Sequence, residues 1–125
     1  MANVNKQVKL ELQKELDEFQ KAQKDIQKCV ETRQKLEAQL TENKVVKEEL
    51  EILEEGANIY KLTGPVLVKQ DLSEAKSTVS KRIEYISAEV KRQETSIADL
   101  EKEQEKHREK LGKLQSQMSP PAVKA

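Results

Sequence analysis

The sequence predicts a mainly α protein, in which two long helices form an antiparallel two-helix coiled coil (a helical hairpin) with one short β-hairpin at the bend. Charged residues make up 37% of the 125 residues and aromatic residues 2%, which is too little apolar bulk for a compact core. Apolar residues recur at alternating spacings of three and four along both halves of the chain, as in coiled coils. A short β-branched and aromatic segment around Gly64 separates the two halves.

The first predicted element is a helix from about Asn5 to Glu55, which no Pro or Gly interrupts. The positions expected to face the partner helix, here called the seam, are mostly apolar: Val8, Leu12, Phe19, Ala22, Ile26, Cys29, Leu36, Leu40 and Leu50. Polar residues occupy the remaining seam positions, where they lower stability but fix register and partner choice: Glu15, Arg33, Asn43 and Lys47. Gly56 is expected to end the helix in a left-handed conformation.

The middle segment predicts two strands, residues 58–62 and 65–70, with Pro65 at a strand start and a turn at Gly64. Because an isolated two-stranded hairpin is marginal in water, we expect strands of other chains to complete it. The residues predicted to make these subunit contacts are Ile59, Tyr60, Leu62, Gly64, Pro65, Val66, Leu67 and Val68. The alternative is a tight loop that caps the coiled coil, but unpaired strand edges favour assembly.

The second helix is expected to start near Asp71, with Glu74 in a capping-box arrangement, and to stop before Pro120. Its predicted seam is Val79, Ile83, Ile86, Val90, Gln93, Ile97, Leu100, Gln104, His107, Leu111, Leu114 and Met118. Folding the chain back at the turn places apolar seam residues opposite one another, which favours an intramolecular pair of helices. We therefore expect a first helical segment over 1–57, a β-hairpin over 58–70, a second helical segment over 71–118 and a disordered tail over 119–125.

Composition also excludes several classes of function. The net charge is zero and the signs are interspersed, so nucleic-acid binding is not expected. The single cysteine, Cys29, cannot form an intrachain disulfide and suits a reducing compartment; with no long apolar run or signal peptide, we expect a cytoplasmic protein. His107 stands alone at a seam position, where packing explains it better than catalysis. We therefore expect neither an enzyme nor a bound metal or cofactor.

Three stretches resemble the prefoldin family: KLEAQLTENKVVKEEL at 35–50, YKLTGPVLVKQ at 60–70 and KRIEYI at 81–86. The likeness extends from about Lys6 to Gln117, and its specific part is the run GPVLVKQ. It implies a β-class subunit with one hairpin between its helices. In that family six subunits join their hairpins into a β-barrel platform from which the coiled coils project.

The resemblance also implies a function: an ATP-independent co-chaperone that binds unfolded proteins of the actin and tubulin type and delivers them to the cytosolic chaperonin. Client contacts are expected from apolar residues at the free ends of the two helices, here called the arm-end residues: Val4, Val8, Leu10, Leu12, Leu111, Leu114 and Met118. Leu10 lies off the seam and is the best candidate for an exposed contact. The alternative function is a structural coiled-coil adaptor or tether.

Overall fold

The computed structural model describes the backbone of residues 2–118 and the side chains of residues 5–118. It consists of two long helices with a two-stranded antiparallel sheet between them: α1 (Ala2–Glu51), β1 (Ile59–Thr63), β2 (Val66–Gln70) and α2 (Leu72–Met118). The predicted fold class is confirmed. The tail expected over residues 119–125 and the side chain of Val4 lie outside the described part of the chain.

The predicted seam is also confirmed, since every seam position on both helices is buried or half-buried. The side chains between these positions are mostly exposed, as expected when a heptad spacing keeps one face of each helix against the other. The best-buried seam residues are apolar: Val8, Ala22, Ile26, Leu50, Val79, Ile86, Val90, Ile97 and Leu114. The fold therefore rests on one narrow apolar row in each helix rather than on a globular core.

The described residues divide into two compact units, each containing part of both helices. We call residues 2–31 with 93–118 the arm unit, and residues 32–92 the hairpin unit. In the arm unit, the side-chain amide of Gln104 donates a hydrogen bond to Oε1 of Gln23 at 2.7 Å. These two residues lie equally far along the chain from the bond between Thr63 and Gly64, which is the register expected for a chain folded back at that turn.

In the hairpin unit, the helix ends and the first strand share a small apolar cluster. Leu50, Ala75 and Val79 are buried together, and the partly buried residues packed against them are Ile59, Leu72 and Ile83. Helix α1 ends at Glu51, just after its last residue in this cluster, and not at the predicted Glu55. The apolar residues that follow, Ile52 and Leu53, are exposed, so tertiary packing does not stabilise a longer helix. Negative charge at a helix C-terminus also opposes the helix dipole.

The predicted cap at Gly56 is likewise wrong. Gly56 has a φ of +86°, but it lies in a separate turn, in which the N–H of Ala57 donates to the carbonyl of Glu54 at 3.1 Å. Its positive φ serves the connection into β1 rather than the end of the helix.

The strands pair in antiparallel register from Ile59 opposite Gln70 to Thr63 opposite Val66, which leaves Gly64 and Pro65 as a two-residue turn. Gly64 has a φ of +58°, a conformation that glycine adopts at little cost and that tight hairpins require. Pro65 therefore lies in the turn and not, as predicted, at the start of a strand.

The predicted start of the second helix is close to the observed one, because α2 begins directly after Asp71. The carbonyl of Asp71 accepts a hydrogen bond from the N–H of Ala75 at 2.9 Å, which places Asp71 at the N-cap. Its carboxylate accepts a second bond from the hydroxyl of Ser73 at 2.7 Å.

Candidate protein-binding surfaces

The strand pair presents large apolar side chains on both faces. Side chains alternate between the faces along each strand, and directly paired residues share a face. The register places Tyr60 with Lys69 and Leu62 with Leu67 on one face. It places Lys61 with Val68 and Thr63 with Val66 on the other face. The exposed apolar residues of the two strands are Tyr60, Leu62, Val66, Leu67 and Val68.

The two strands pair only with each other in the described part of the chain, so the outer edge of each is unpaired. Of the residues predicted to make subunit contacts, Ile59 differs from the others because it is half-buried against Leu50 and Val79. Gly64 and Pro65 form the exposed turn at the tip. Apolar faces and unpaired edges in so short a segment make it a candidate surface for pairing with further strands.

The arm unit contains a polar pair within its seam. Nδ1 of His107 lies 2.5 Å from Oε2 of Glu15, and both side chains are mostly buried. Nζ of Lys110 lies 3.8 Å from the other carboxylate oxygen of Glu15. The hydrogen bond with His107 holds the pKa of Glu15 below its usual value of 4.5, and the charges of Lys110, His107 and Lys14 act in the same direction, against the effect of burial.

Sequence analysis identified Glu15 and His107 as polar seam residues but did not pair them. The pair could have been found by matching an acidic residue in the seam of one helix with a basic residue in the seam of the other. His107 is thus a packed and hydrogen-bonded seam residue. Within the described residues, no three His, Cys, Asp or Glu side chains are grouped so as to hold a metal ion.

The structure distributes the arm-end residues unequally between seam and solvent. Val8 and Leu114 are buried in the seam. Leu12, Leu111 and Met118 are half-buried. Leu10, which is 66% exposed, presents its side chain to solvent. Apart from Leu10, the arm-end residues with described side chains therefore lie wholly or partly within the seam.

These features define a class of protein: a two-helix coiled-coil chain with a β-hairpin whose apolar faces are exposed. Comparison with known proteins places it within that class. The model of the prefoldin subunit family matches residues 13–118. The chain therefore belongs to the prefoldin subunit family, and the predicted resemblance is confirmed.

Individual relatives agree with this assignment. The chain is 52% identical to prefoldin subunit 6 of Mus musculus over 88% of its own length and 87% of the relative's. It is 51% identical to prefoldin subunit 6 of Arabidopsis thaliana over 86% and 84% of the two chains. Its structure matches the prefoldin beta subunit from Thermococcus strain KS-1 with a TM-score of 0.75 and 26% identity, covering 89% of this chain and 95% of the other. Neither described helix contains an apolar stretch long enough to cross a membrane.

Proposed function

We propose that this chain is one subunit of a hetero-hexameric prefoldin co-chaperone in the cytoplasm, with α- and β-class subunits as its partners. It binds unfolded proteins of the actin and tubulin type at the arm ends and passes them to the cytosolic chaperonin without using nucleotide. The family assignment supports a co-chaperone subunit and not an enzyme.

The observation that carries the proposal is the exposure of apolar residues on both faces of the strand pair. Packing against the chain's own helices can cover only one face of a two-stranded sheet, and here only Ile59 is used in that way. Leu62 and Leu67 on one face, and Val66 and Val68 on the other, remain exposed. Burying them against neighbouring strands is favourable by about 25 cal/mol per Å² of apolar area before ordering costs. Assembly into the β-barrel platform buries the apolar side chains of both faces and gives both strand edges hydrogen-bonding partners.

Client binding rests on the arm-end residues. Leu10 offers an exposed apolar contact, and Val8 and Leu114 add apolar area when the helix ends separate. Holding a non-native chain by burial of apolar surface needs neither a pocket nor a catalytic group. The same mechanism needs no nucleotide, because release follows from competition for the same apolar surface.

Assembly is tested by co-expressing the chain with the other prefoldin subunits and measuring the mass of the complex. Val66→Asp with Val68→Asp should abolish the hexamer, because two carboxylates on one face cannot be buried without partners. Leu62→Asp with Leu67→Asp tests the opposite face in the same way. Gln20→Asp with Gln27→Asp, at two exposed positions of α1 in the arm unit, introduces the same two carboxylates away from the strands and should leave the hexamer intact.

Client holding is tested with Leu10→Asp in the assembled complex. The hexamer should form normally, because Leu10 lies far along the chain from the strands. The complex should suppress aggregation of a denatured client less well, because the variant removes exposed apolar surface. A wild-type chain that forms only a monodisperse homodimer beside its partners would contradict the proposal and favour the tether.

A further inference from the structure

The charges of the arm unit are segregated along its length, although the whole chain has no net charge. The terminal part of the arm unit, residues 5–14 of α1 and 108–118 of α2, contains six lysine or arginine residues and two glutamates. The inner part, residues 15–31 and 93–107, contains five lysines and ten acidic residues. The free ends of the two helices are therefore cationic, and the stretch next to them is anionic.

The cationic side chains of the terminal part are all exposed: Lys6, Lys9, Lys14, Arg108, Lys110 and Lys113. Arg108 and Lys110 each pair with one glutamate. The other four form no ion pair with a carboxylate of the described residues. Most of the positive charge at the helix ends is therefore not neutralised by the described part of the chain.

The exposed arm-end residue Leu10 lies within this cationic part. Lys6 and Lys14 stand four residues before and after it, so they are its neighbours on the same face of α1. Lys9 precedes it directly along the chain. A segment that buries the side chain of Leu10 therefore brings its own flanking residues close to ammonium groups.

A cleft between the two helices repeats this combination of apolar surface and positive charge. Leu114, which is buried, contributes apolar surface to it. Its charged lining residues are Glu11, Lys14, Glu15, Lys110 and Lys113. Glu15 is already paired with His107 and Lys110. Two lysines and one glutamate of the cleft remain without an ion pair in the described part of the chain, so the cleft also favours a negatively charged occupant.

We propose that the terminal part of the arm unit selects client segments in which acidic residues flank apolar ones. This inference rests on the proposed function, because it specifies which segments of an unfolded protein the arm ends hold. Burial of apolar surface supplies affinity, and complementary charge supplies selectivity and a faster encounter. The anionic inner part repels the same segments, which confines them to the free ends of the helices.

Three fluorescent peptides of equal length serve as probes for the complete complex. The first contains leucine and glutamate among serines, the second has lysine in place of each glutamate, and the third has serine in place of each leucine. Fluorescence anisotropy gives the dissociation constant of each. The first peptide should bind at least about tenfold more tightly than either of the others at low salt, and its advantage over the second should shrink as salt screens the exposed charges.

Charge reversal in this subunit assigns the selectivity to its own lysines. Lys6→Glu, Lys9→Glu and Lys113→Glu together should raise the dissociation constant of the leucine–glutamate peptide by at least about fivefold at low salt, and should lower that of the leucine–lysine peptide. The matched control reverses three exposed lysines of the inner part with the same change in net charge: Lys21→Glu, Lys24→Glu and Lys102→Glu. It should change the constant less than about twofold.

The outcomes separate this inference from the proposed function. Equal effects of the two triple variants overturn the inference, and so does equal binding of the leucine–glutamate and serine–glutamate peptides, because either result would show a general attraction of anions. A complex that suppresses aggregation of a denatured client but binds all three peptides equally overturns charge selection and leaves client holding standing. A wild-type chain that forms no hexamer, or a hexamer that holds no client, overturns both.

Discussion

Gly112 offers a direct test of how the arm unit is stabilised. It lies inside α2, its φ is not positive, and a Cβ built on it meets nothing within 4 Å. Neither packing nor backbone conformation therefore explains the glycine. Alanine should fit without strain and restrict the unfolded chain, so Gly112→Ala is expected to stabilise this part of the helix by about 0.5–1 kcal/mol.

The expected gain has a measurable consequence for local opening. A change of about 0.5–1 kcal/mol corresponds to a two- to fivefold change in the opening equilibrium, so backbone amides near residues 111–117 should exchange more slowly with deuterium by that factor. Amides of the strands should be unaffected. In the assembled complex, the same variant should weaken client holding, because Leu111 and Leu114 are then released from the seam less often.

A matched control uses the same substitution where the backbone differs. A Cβ on Gly64 also meets nothing within 4 Å, but the φ of +58° is one that alanine adopts at a cost of about 1–2 kcal/mol. Gly64→Ala should therefore destabilise the turn although it creates no clash. If Gly112→Ala left exchange unchanged or accelerated it, the assignment of Gly112 to an ordinary, unconstrained helix position would be refuted.

Other predictions concern single interactions. The carboxylate of Glu15, with its lowered pKa, contributes stability that is complete above its usual value of 4.5 and is lost as the pH falls through the lowered value, so Glu15→Gln should flatten the pH dependence of thermal unfolding below about pH 4.5. Leu50→Ala should destabilise the chain to urea by about 2–4 kcal/mol, whereas the exposed Ile52→Ala should change stability by less than about 0.5 kcal/mol. Asp71→Ala removes the N-cap of α2 and should cost about 1 kcal/mol.

The seam could be predicted because a coiled coil requires apolar residues at the same two heptad positions along its whole length. Each apolar residue from Val8 to Leu114 that follows the alternating spacing is at least half-buried, and so are the polar residues that interrupt it. The strand pair was predictable because β-branched residues flank a Gly-Pro turn. Both signals are local, so they need no knowledge of the tertiary contacts.

The end of α1 and the pairing of Glu15 depend on the opposite helix, and the sequence spacing alone does not specify them. The helix stops after Leu50 because that residue is the last to reach the cluster of Ala75 and Val79. The spacing alone likewise does not specify whether Tyr85 is buried or exposed. An aromatic residue off the seam is buried or exposed according to what lies beside it, and here nothing in the described chain covers it.

The position of Ile59 has a mechanical consequence. This residue belongs to the first strand and also packs among Leu50, Ala75 and Val79, where the two helices meet. Because of this packing, the strand cannot shift without disturbing the end of α1 near Leu50 and the start of α2 near Ala75. In the proposed assembly, where strands of neighbouring chains cover the strand pair, any displacement of the strands is transmitted to the ends of both helices through the packing of Ile59.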